Sequence, residues 1–186
     1  MFDYDAFDAY SGDVMACVTN IVTGEAEYLP VSSGDKKWKT IVASCSLPIM
    51  FQPVSIGDKL YMDGGMSDSI PYKKAIEDGC DKLIVVLTRE KNYIKEPEPM
   101  QKLIKVMYRK YPALIERIAE RHNDYNRSRA ELFELERSGR AFVIAPKNTA
   151  DFDRVEKRPL QLTQIYNQGY DITMKNMKSL KEYLES

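Results

Sequence analysis

Cysteine and histidine are both scarce in this sequence of 186 residues. The three cysteines, Cys17, Cys45 and Cys80, are odd in number, lie far apart and form no CxxC pair. That pattern argues against a disulfide framework and against a zinc site, and it suits a reducing cytoplasm. The single histidine, His122, argues against the usual catalytic zinc ligand sets and leaves a Ser-His-Asp triad with one candidate base. Because arginines surround His122 in the sequence, we interpret it as part of a solvated helix face.

Long apolar runs and an excess of positive charge are missing as well. The longest apolar runs, such as residues 83–87, are far shorter than the ~20 residues that a membrane-spanning helix needs, and the acidic start is unlike a signal peptide. We therefore expect a soluble, cytoplasmic protein. The formal net charge is -1 with both signs mixed along the chain, which lacks the basic stripe that phosphate binding requires. Nucleic acid is not an expected partner.

Several motifs that would reveal a cofactor or a nucleophile are absent. None of the nine glycines is spaced for a dinucleotide fingerprint, for a phosphate-binding loop or for a GxSxG nucleophile elbow. The acidic opening differs from a calcium loop, since Phe7 replaces one ligand and Asp8 stands where the sharp-turn glycine should be. We interpret that opening as a polar lead-in to the first strand. The sequence predicts neither a metal nor a cofactor.

Strand and helix patterns alternate along the chain and predict a layered α/β fold in one domain, residues 1–186. The run at 83–87 is typical of a parallel strand buried on both faces. Gly169 is expected to separate two helices near the end of the chain. The predicted strands are 14–20, 27–31, two pieces of 54–62 around Gly57-Asp58, 82–88 and 141–145. The predicted helices are 38–45, 71–78, two pieces of 99–138 broken near Pro112, 159–167, and a last amphipathic one ending near Leu184.

The tripeptide Asp63-Gly64-Gly65 is the strongest candidate for a chemical site. An acidic side chain directly after a short strand can be presented over a cleft, and the glycines that follow allow close approach of another group. Taken alone, such a tripeptide is more often a structural turn. Its sequence neighbours favour the functional interpretation.

Those neighbours carry a resemblance to a known family. The stretch Ala43-Ser44-Cys45-Ser46-Leu47-Pro48, followed by Asp63-Gly64-Gly65, Pro71 and the strand at 83–88, resembles patatin-like phospholipases. The similarity extends over nearly the whole chain and is closest to the bacterial, single-domain members. It implies a patatin-like three-layer α/β/α sandwich that is incomplete at its N-terminal side, so that residues 1–186 form the C-terminal portion of one domain.

The resemblance also implies a mechanism. In that family a Ser on a GxSxG elbow attacks an acyl ester, and the Asp of the DGG motif accepts its proton without a histidine. Asp63 matches that Asp, with Gly64 and Gly65 as motif support. The elbow and the glycine-rich oxyanion loop precede the segment that this sequence covers. We therefore expect a lipid acyl hydrolase in its full-length form and no activity from this chain alone, with Met1 an artificial start, a start assigned too late, or the start of a truncated gene.

Three other serines and an apolar stretch near the motif each allow more than one interpretation. Ser44, Ser46 and Ser67 lie near the motif but lack an elbow, and we interpret them as packing or loop residues. The expected substrate is a lipid or another acyl ester. The apolar stretch Leu47, Ile49, Met50 and Phe51 either makes transient contact with a membrane surface or packs inward.

Unpaired strand edges would favour a homo-oligomer or association with the missing N-terminal segment. The alternative function is a non-catalytic interaction module or pseudoenzyme, in which the charged helices within 99–138 bind a protein partner.

Overall fold

The computed structural model describes residues 2–35, 37–152 and 156–186. It has the mixed α/β fold that the sequence predicts, and it divides into two compact units. The first unit is Met1–Pro71 with Lys95–Asn126, and the second is Tyr72–Ile94 with Arg127–Ser186. The helices are α1 Tyr4–Asp8, α2 Lys39–Ser44, α3 Tyr72–Glu77, α4 Gln101–Met107, α5 Pro112–Arg137 and α6 Pro159–Glu185. The strands are β1 Met15–Asn20, β2 Ala26–Pro30, β3 Val54–Ile56, β4 Lys59–Asp63, β5 Leu83–Val86 and β6 Ala141–Ile144.

The first unit contains an antiparallel sheet of four strands in the order β2-β1-β4-β3. Two hairpins build it, β1 with β2 and β3 with β4, and the second has the turn that Gly57-Asp58 predicts. Gly24 and Gly57 lie in these turns with φ of 71° and 62°, a conformation that glycine adopts without strain. Pairing of β1 with β4 sets Val18 opposite Asp63 and brings the end of β4 to the centre of the sheet.

Two clusters of buried side chains accompany this sheet. Tyr61 and Met62 are neighbours in β4 but belong to different clusters, because successive residues of a strand point to opposite faces. The buried members of the smaller cluster are Val18, Ala43 and Tyr61. The buried members of the larger cluster are Ile21, Met62, Met66, Ile104, Tyr108, Leu114 and Ile118. Helix α2 therefore packs on one face of the sheet, and α4 with the first half of α5 packs on the other.

The acidic opening of the chain forms helix α1, which the sequence patterns did not indicate. Asp3 Oδ1 accepts a hydrogen bond of 2.9 Å from the Ala6 amide and so caps the first turn. The interpretation of this segment as a plain lead-in to β1 is therefore incomplete. Its acidic residues take part in helix capping and in the first turn, where negative charge is favourable.

The second unit contains a parallel pair, β5 with β6, in register from Leu83 opposite Ala141 to Val86 opposite Ile144. The predicted parallel pairing is confirmed, but the prediction that β5 is buried on both faces is wrong. Leu83 is 5% exposed, whereas Ile84 and Val86 are 46% and 70% exposed. Side chains alternate between the faces of a strand, and in the described part of the chain only one face of β5 is covered.

The last helix differs from the sequence prediction in one respect. The expected break at Gly169 is wrong, since α6 runs without interruption from Pro159 to Glu185. Glycine in a helix costs only about 0.5–1 kcal/mol relative to alanine, which is too little to end a helix with regular turns on both sides. Neither α6 nor any other helix in the described residues combines the length and the apolar character needed to cross a membrane.

Replacing Gly169 by alanine should stabilise the protein. A Cβ at this position meets no atom within 4 Å, so only the helix propensity changes. We expect the free energy of unfolding to rise by about 0.5–1 kcal/mol. Urea unfolding of wild type and Gly169→Ala, followed by circular dichroism, measures this difference. A destabilised variant would mean that α6 is broken at this position after all.

Candidate active site

Asp63 is the last residue of β4 and is half-buried. Its Oδ1 accepts a hydrogen bond of 2.8 Å from the Gly65 amide and caps a short 3₁₀ helix, Gly64–Met66. The backbone of Asp63 is held from two sides. Its amide donates to the Ser46 carbonyl at 3.0 Å, and its carbonyl accepts from the Thr19 hydroxyl at 2.8 Å. These three hydrogen bonds hold the backbone of Asp63 in place and set the direction of its carboxylate.

Gly64 is required by its surroundings. A Cβ at this residue would lie 2.2 Å from the Cys17 carbonyl oxygen and 2.4 Å from the carbon of that carbonyl. Both are backbone atoms of β1 and cannot rotate away. The chain can turn from β4 into the 3₁₀ helix this close to β1 only with glycine at 64. Close packing against β1 thus explains the first glycine of the motif, independently of any catalytic role.

A buried hydroxyl pair supports the turn. Thr19 is fully buried, and its Oγ1 lies 2.7 Å from Ser67 Oγ. Because the one proton of the Thr19 hydroxyl goes to the Asp63 carbonyl, Ser67 donates in this pair, and its Oγ also lies 3.3 Å from the Gly64 carbonyl oxygen. These contacts agree with the interpretation of Ser67 as a residue that stabilises the loop.

Ser46 and His122 are engaged with the backbone of their own segments. Ser46 is buried, and its hydroxyl donates to the Val42 carbonyl at 2.7 Å. His122 Nδ1 lies 3.0 Å from the Ala119 carbonyl oxygen, and a carbonyl only accepts, so Nδ1 carries the proton in that bond. Both contacts agree with structural roles for these two residues.

Cys17 lies beside the candidate site and was not singled out by the sequence patterns. Burial, with added repulsion from the negative charges of Asp68 and Asp63, raises the pKa of its thiol to about 12. Tyr28, which is paired with Cys17 across β1 and β2, donates from its hydroxyl to Asp68 Oδ2 at 2.6 Å. A thiol of such high pKa stays protonated near neutral pH and is a poor nucleophile.

Cys17 should therefore resist alkylation. At pH 8 we expect iodoacetamide to modify the exposed Cys45 and Cys80 at least tenfold faster than Cys17, because the thiolate is the reactive species. The Cys17 rate should keep rising by about tenfold per pH unit above pH 8, because its thiolate fraction increases until the pH reaches its pKa of about 12. Peptide mass spectrometry after timed alkylation measures the three rates. Equal rates at pH 8 would contradict the burial of Cys17 beside the two carboxylates.

The apolar stretch after α2 divides into inward and outward parts. Ile49 packs against the larger core cluster, and its amide donates to the Tyr108 hydroxyl at 3.2 Å. It has a φ of 71°, an uncommon conformation for a β-branched residue. Met50 and Phe51 are instead 51% and 53% exposed. Ile49 therefore packs inward, as one of the two alternatives predicts, whereas Met50 and Phe51 lie at the surface.

No group of three or more His, Cys, Asp or Glu side chains suited to a metal ion occurs within the residues that the structure describes. The loop that carries Asp63 is the candidate site that the sequence predicts.

Residues 28–76 match the family model of patatin-like phospholipases. The matched segment includes Asp63, Gly64 and Gly65, and it ends within α3. The match relates this part of the chain to a family of lipid hydrolases. A second family model, a domain of unknown function named DUF6363, matches residues 111–185 and covers the whole of α5 and α6. No curated protein matches the chain.

Proposed function

We propose that this chain contributes Asp63 as the base of a Ser–Asp dyad in a lipid acyl hydrolase of the bacterial patatin-like type. The observation that supports the proposal is the placement of Asp63 in the segment similar to patatin-like phospholipases. There its half-buried carboxylate follows a central strand, and Gly65 orients it. We propose further that residues 1–186 are the C-terminal portion of one patatin-like domain.

The proposed reaction divides ester hydrolysis into two steps. A serine hydroxyl attacks the acyl carbonyl while Asp63 accepts its proton, and that proton then passes to the departing alkoxide. Water next attacks the acyl-enzyme and gives a proton to Asp63. The bond between the acyl carbon and the serine oxygen then breaks, and Asp63 returns the proton to that oxygen, which frees the fatty acid and restores the serine. Because these 186 residues hold no GxSxG motif, the serine and the oxyanion donors would come from another part of a longer polypeptide or from an associated chain.

The substrate is a lipid or another acyl ester. A water-soluble enzyme that acts on lipid needs apolar side chains beside its cleft, and the exposed Met50 and Phe51 lie in the segment similar to the phospholipases. We propose that this loop makes transient contact with a membrane surface, and that the protein works in the cytoplasm.

The first test is the DNA upstream of the codon for Met1. An in-frame segment that encodes GxSxG supports the proposal, and the longer product should react at that serine with a fluorophosphonate probe. The 186-residue chain is the matched control and should not be labelled. A stop codon upstream together with a genuine start at Met1 would instead favour the non-catalytic interaction module.

A further inference from the structure

Arg121 of α5 contacts the loop that carries Asp63. Its Nε donates to the Gly65 carbonyl, and the amide of the same Gly65 donates to Asp63 Oδ1 at 2.8 Å. A Cβ placed on Gly65 would lie 3.2 Å from Arg121 Nη2 and 3.0 Å from Asp63 Oδ1. The guanidinium and the carboxylate therefore border the same small space beside Gly65.

The helix that carries Arg121 is held in place independently. Leu114 and Ile118 of α5 are buried in the cluster that contains Met62 of β4. The backbone of α5 also approaches the turn between β1 and β2 closely, since a Cβ on Gly24 would lie 2.7 Å from the Ala113 carbonyl oxygen. Arg121 thus connects α5, which packs in the core, to the loop that begins at the end of β4.

Arg117, one helical turn earlier, makes the same kind of contact elsewhere. Its Nε donates to the Gly24 carbonyl at 3.2 Å, and its Nη1 lies 2.9 Å from Asp124 Oδ2. Both arginines therefore attach α5 to a glycine carbonyl in the first unit. Of these two glycines, only Gly65 binds the carboxylate of Asp63.

We propose that Arg121 is a positioning residue for Asp63, acting through Gly65. The family segment of unknown function, residues 111–185, would then contribute directly to the geometry of the active site. This inference rests on the proposed function. A base must be held in its productive geometry to within about 0.5 Å, and a displacement of about 1 Å can reduce the rate by about 10²-fold.

The first experiment uses the 186-residue chain and needs no activity. Amide hydrogen exchange at Gly65 is compared in wild type, Arg121→Ala and Arg117→Ala. We expect Arg121→Ala to speed the Gly65 exchange at least tenfold while the core amides of β4 keep their protection, and Arg117→Ala to leave Gly65 unchanged. If Arg121→Ala fails to fold, Arg121→Met, whose long side chain donates no hydrogen bond, takes its place. An unchanged Gly65 amide in the folded Arg121 variant overturns the inference.

The second experiment uses the longer, serine-containing product. Arg121→Ala should lower kcat by about 10- to 100-fold with KM within about twofold, because the base moves and the substrate site does not. Methylguanidine in the assay should restore part of kcat, which a merely structural role would not allow. Arg117→Ala should keep kcat within about twofold. Equal losses in both variants, or no rescue, would show that α5 only supports the fold.

An assay of Asp63→Asn in the longer product, beside the second experiment, separates failure of the dyad from failure of the positioning role. If Asp63→Asn keeps full activity, the proposed dyad is wrong. Faster exchange of the Gly65 amide in Arg121→Ala would then show only that Arg121 stabilises the loop. If Asp63→Asn is inactive and Arg121→Ala has wild-type kcat, the dyad stands and the positioning role is refuted.

Discussion

Replacing Asp63 by asparagine should lower kcat for ester hydrolysis by about 10²- to 10⁴-fold, the usual contribution of a general base. Asparagine has nearly the same shape, and its side-chain oxygen can still accept the hydrogen bond from the Gly65 amide. The loop should therefore keep its conformation, and the variant should lose only the capacity to accept a proton. Hydrolysis of p-nitrophenyl esters by the longer product measures the effect.

Asp68→Asn is the matched control for this experiment. Asp68 is also half-buried and also contributes negative charge near Cys17, but its carboxylate is occupied by the Tyr28 hydroxyl and the Ile70 amide. We expect its kcat to stay within about threefold of wild type, a loss typical of lost local hydrogen bonding. Equal rates for wild type and Asp63→Asn would remove Asp63 from the mechanism. Equal losses of kcat in both variants would show that removal of one negative charge near the site, and not removal of a base, slows the reaction.

The parts of the fold that were predictable are those fixed by short-range chemistry. The hairpin around Gly57-Asp58 requires two residues that turn the chain, and the sequence shows them. The break between α4 and α5 at Pro112 and the end of α5 before Gly139 likewise depend on one residue each. The position of Asp63 at the end of a strand also followed from its immediate neighbours.

The two wrong predictions, for the burial of β5 and for the break at Gly169, concern features that a local sequence pattern does not decide alone. An apolar run such as 83–87 shows that a strand can be buried, but which of its faces is covered depends on elements far away in the chain. Gly169 lowers helix propensity by an amount that the rest of α6 outweighs. In both cases the local signal was correctly identified, and its energetic weight was overestimated.

The surroundings of Asp63 could not be predicted from the sequence, because they are contacts between distant residues. Thr19 lies 44 positions from Asp63, and Arg121 lies 56 positions from Gly65. Only the pairing of β1 with β4 distinguishes Thr19 from the other threonines, and only the packing of α5 distinguishes Arg121 from the neighbouring arginines. Chemistry-bearing residue types were recognisable in the sequence, whereas the groups that orient them were not.

Gly64→Ala should be the most destabilising of the glycine substitutions near the site. The new methyl group would overlap the backbone of Cys17 at 2.2 Å, and β1 is paired with β2 on one side and β4 on the other, so it cannot withdraw. Overpacking typically costs about 1–3 kcal/mol, and we expect a loss of about 3 kcal/mol because both colliding groups are backbone. The midpoint of urea unfolding measures this loss.

Gly65→Ala is the matched control, because it adds the same methyl group one residue later. The atoms it meets are the ends of two side chains, Asp63 Oδ1 at 3.0 Å and Arg121 Nη2 at 3.2 Å, which can shift by a few tenths of an ångström. We expect a loss of stability of about 0.5–1.5 kcal/mol, the usual cost of moving a side chain off its preferred rotamer. The same shift would disturb the arginine and the carboxylate. We therefore expect kcat to fall clearly even though the free energy of unfolding changes little. If Gly64→Ala is no less stable than Gly65→Ala, the contact between the turn and β1 is looser than the structure shows. The glycine at 64 would then have to be explained by catalysis and not by packing.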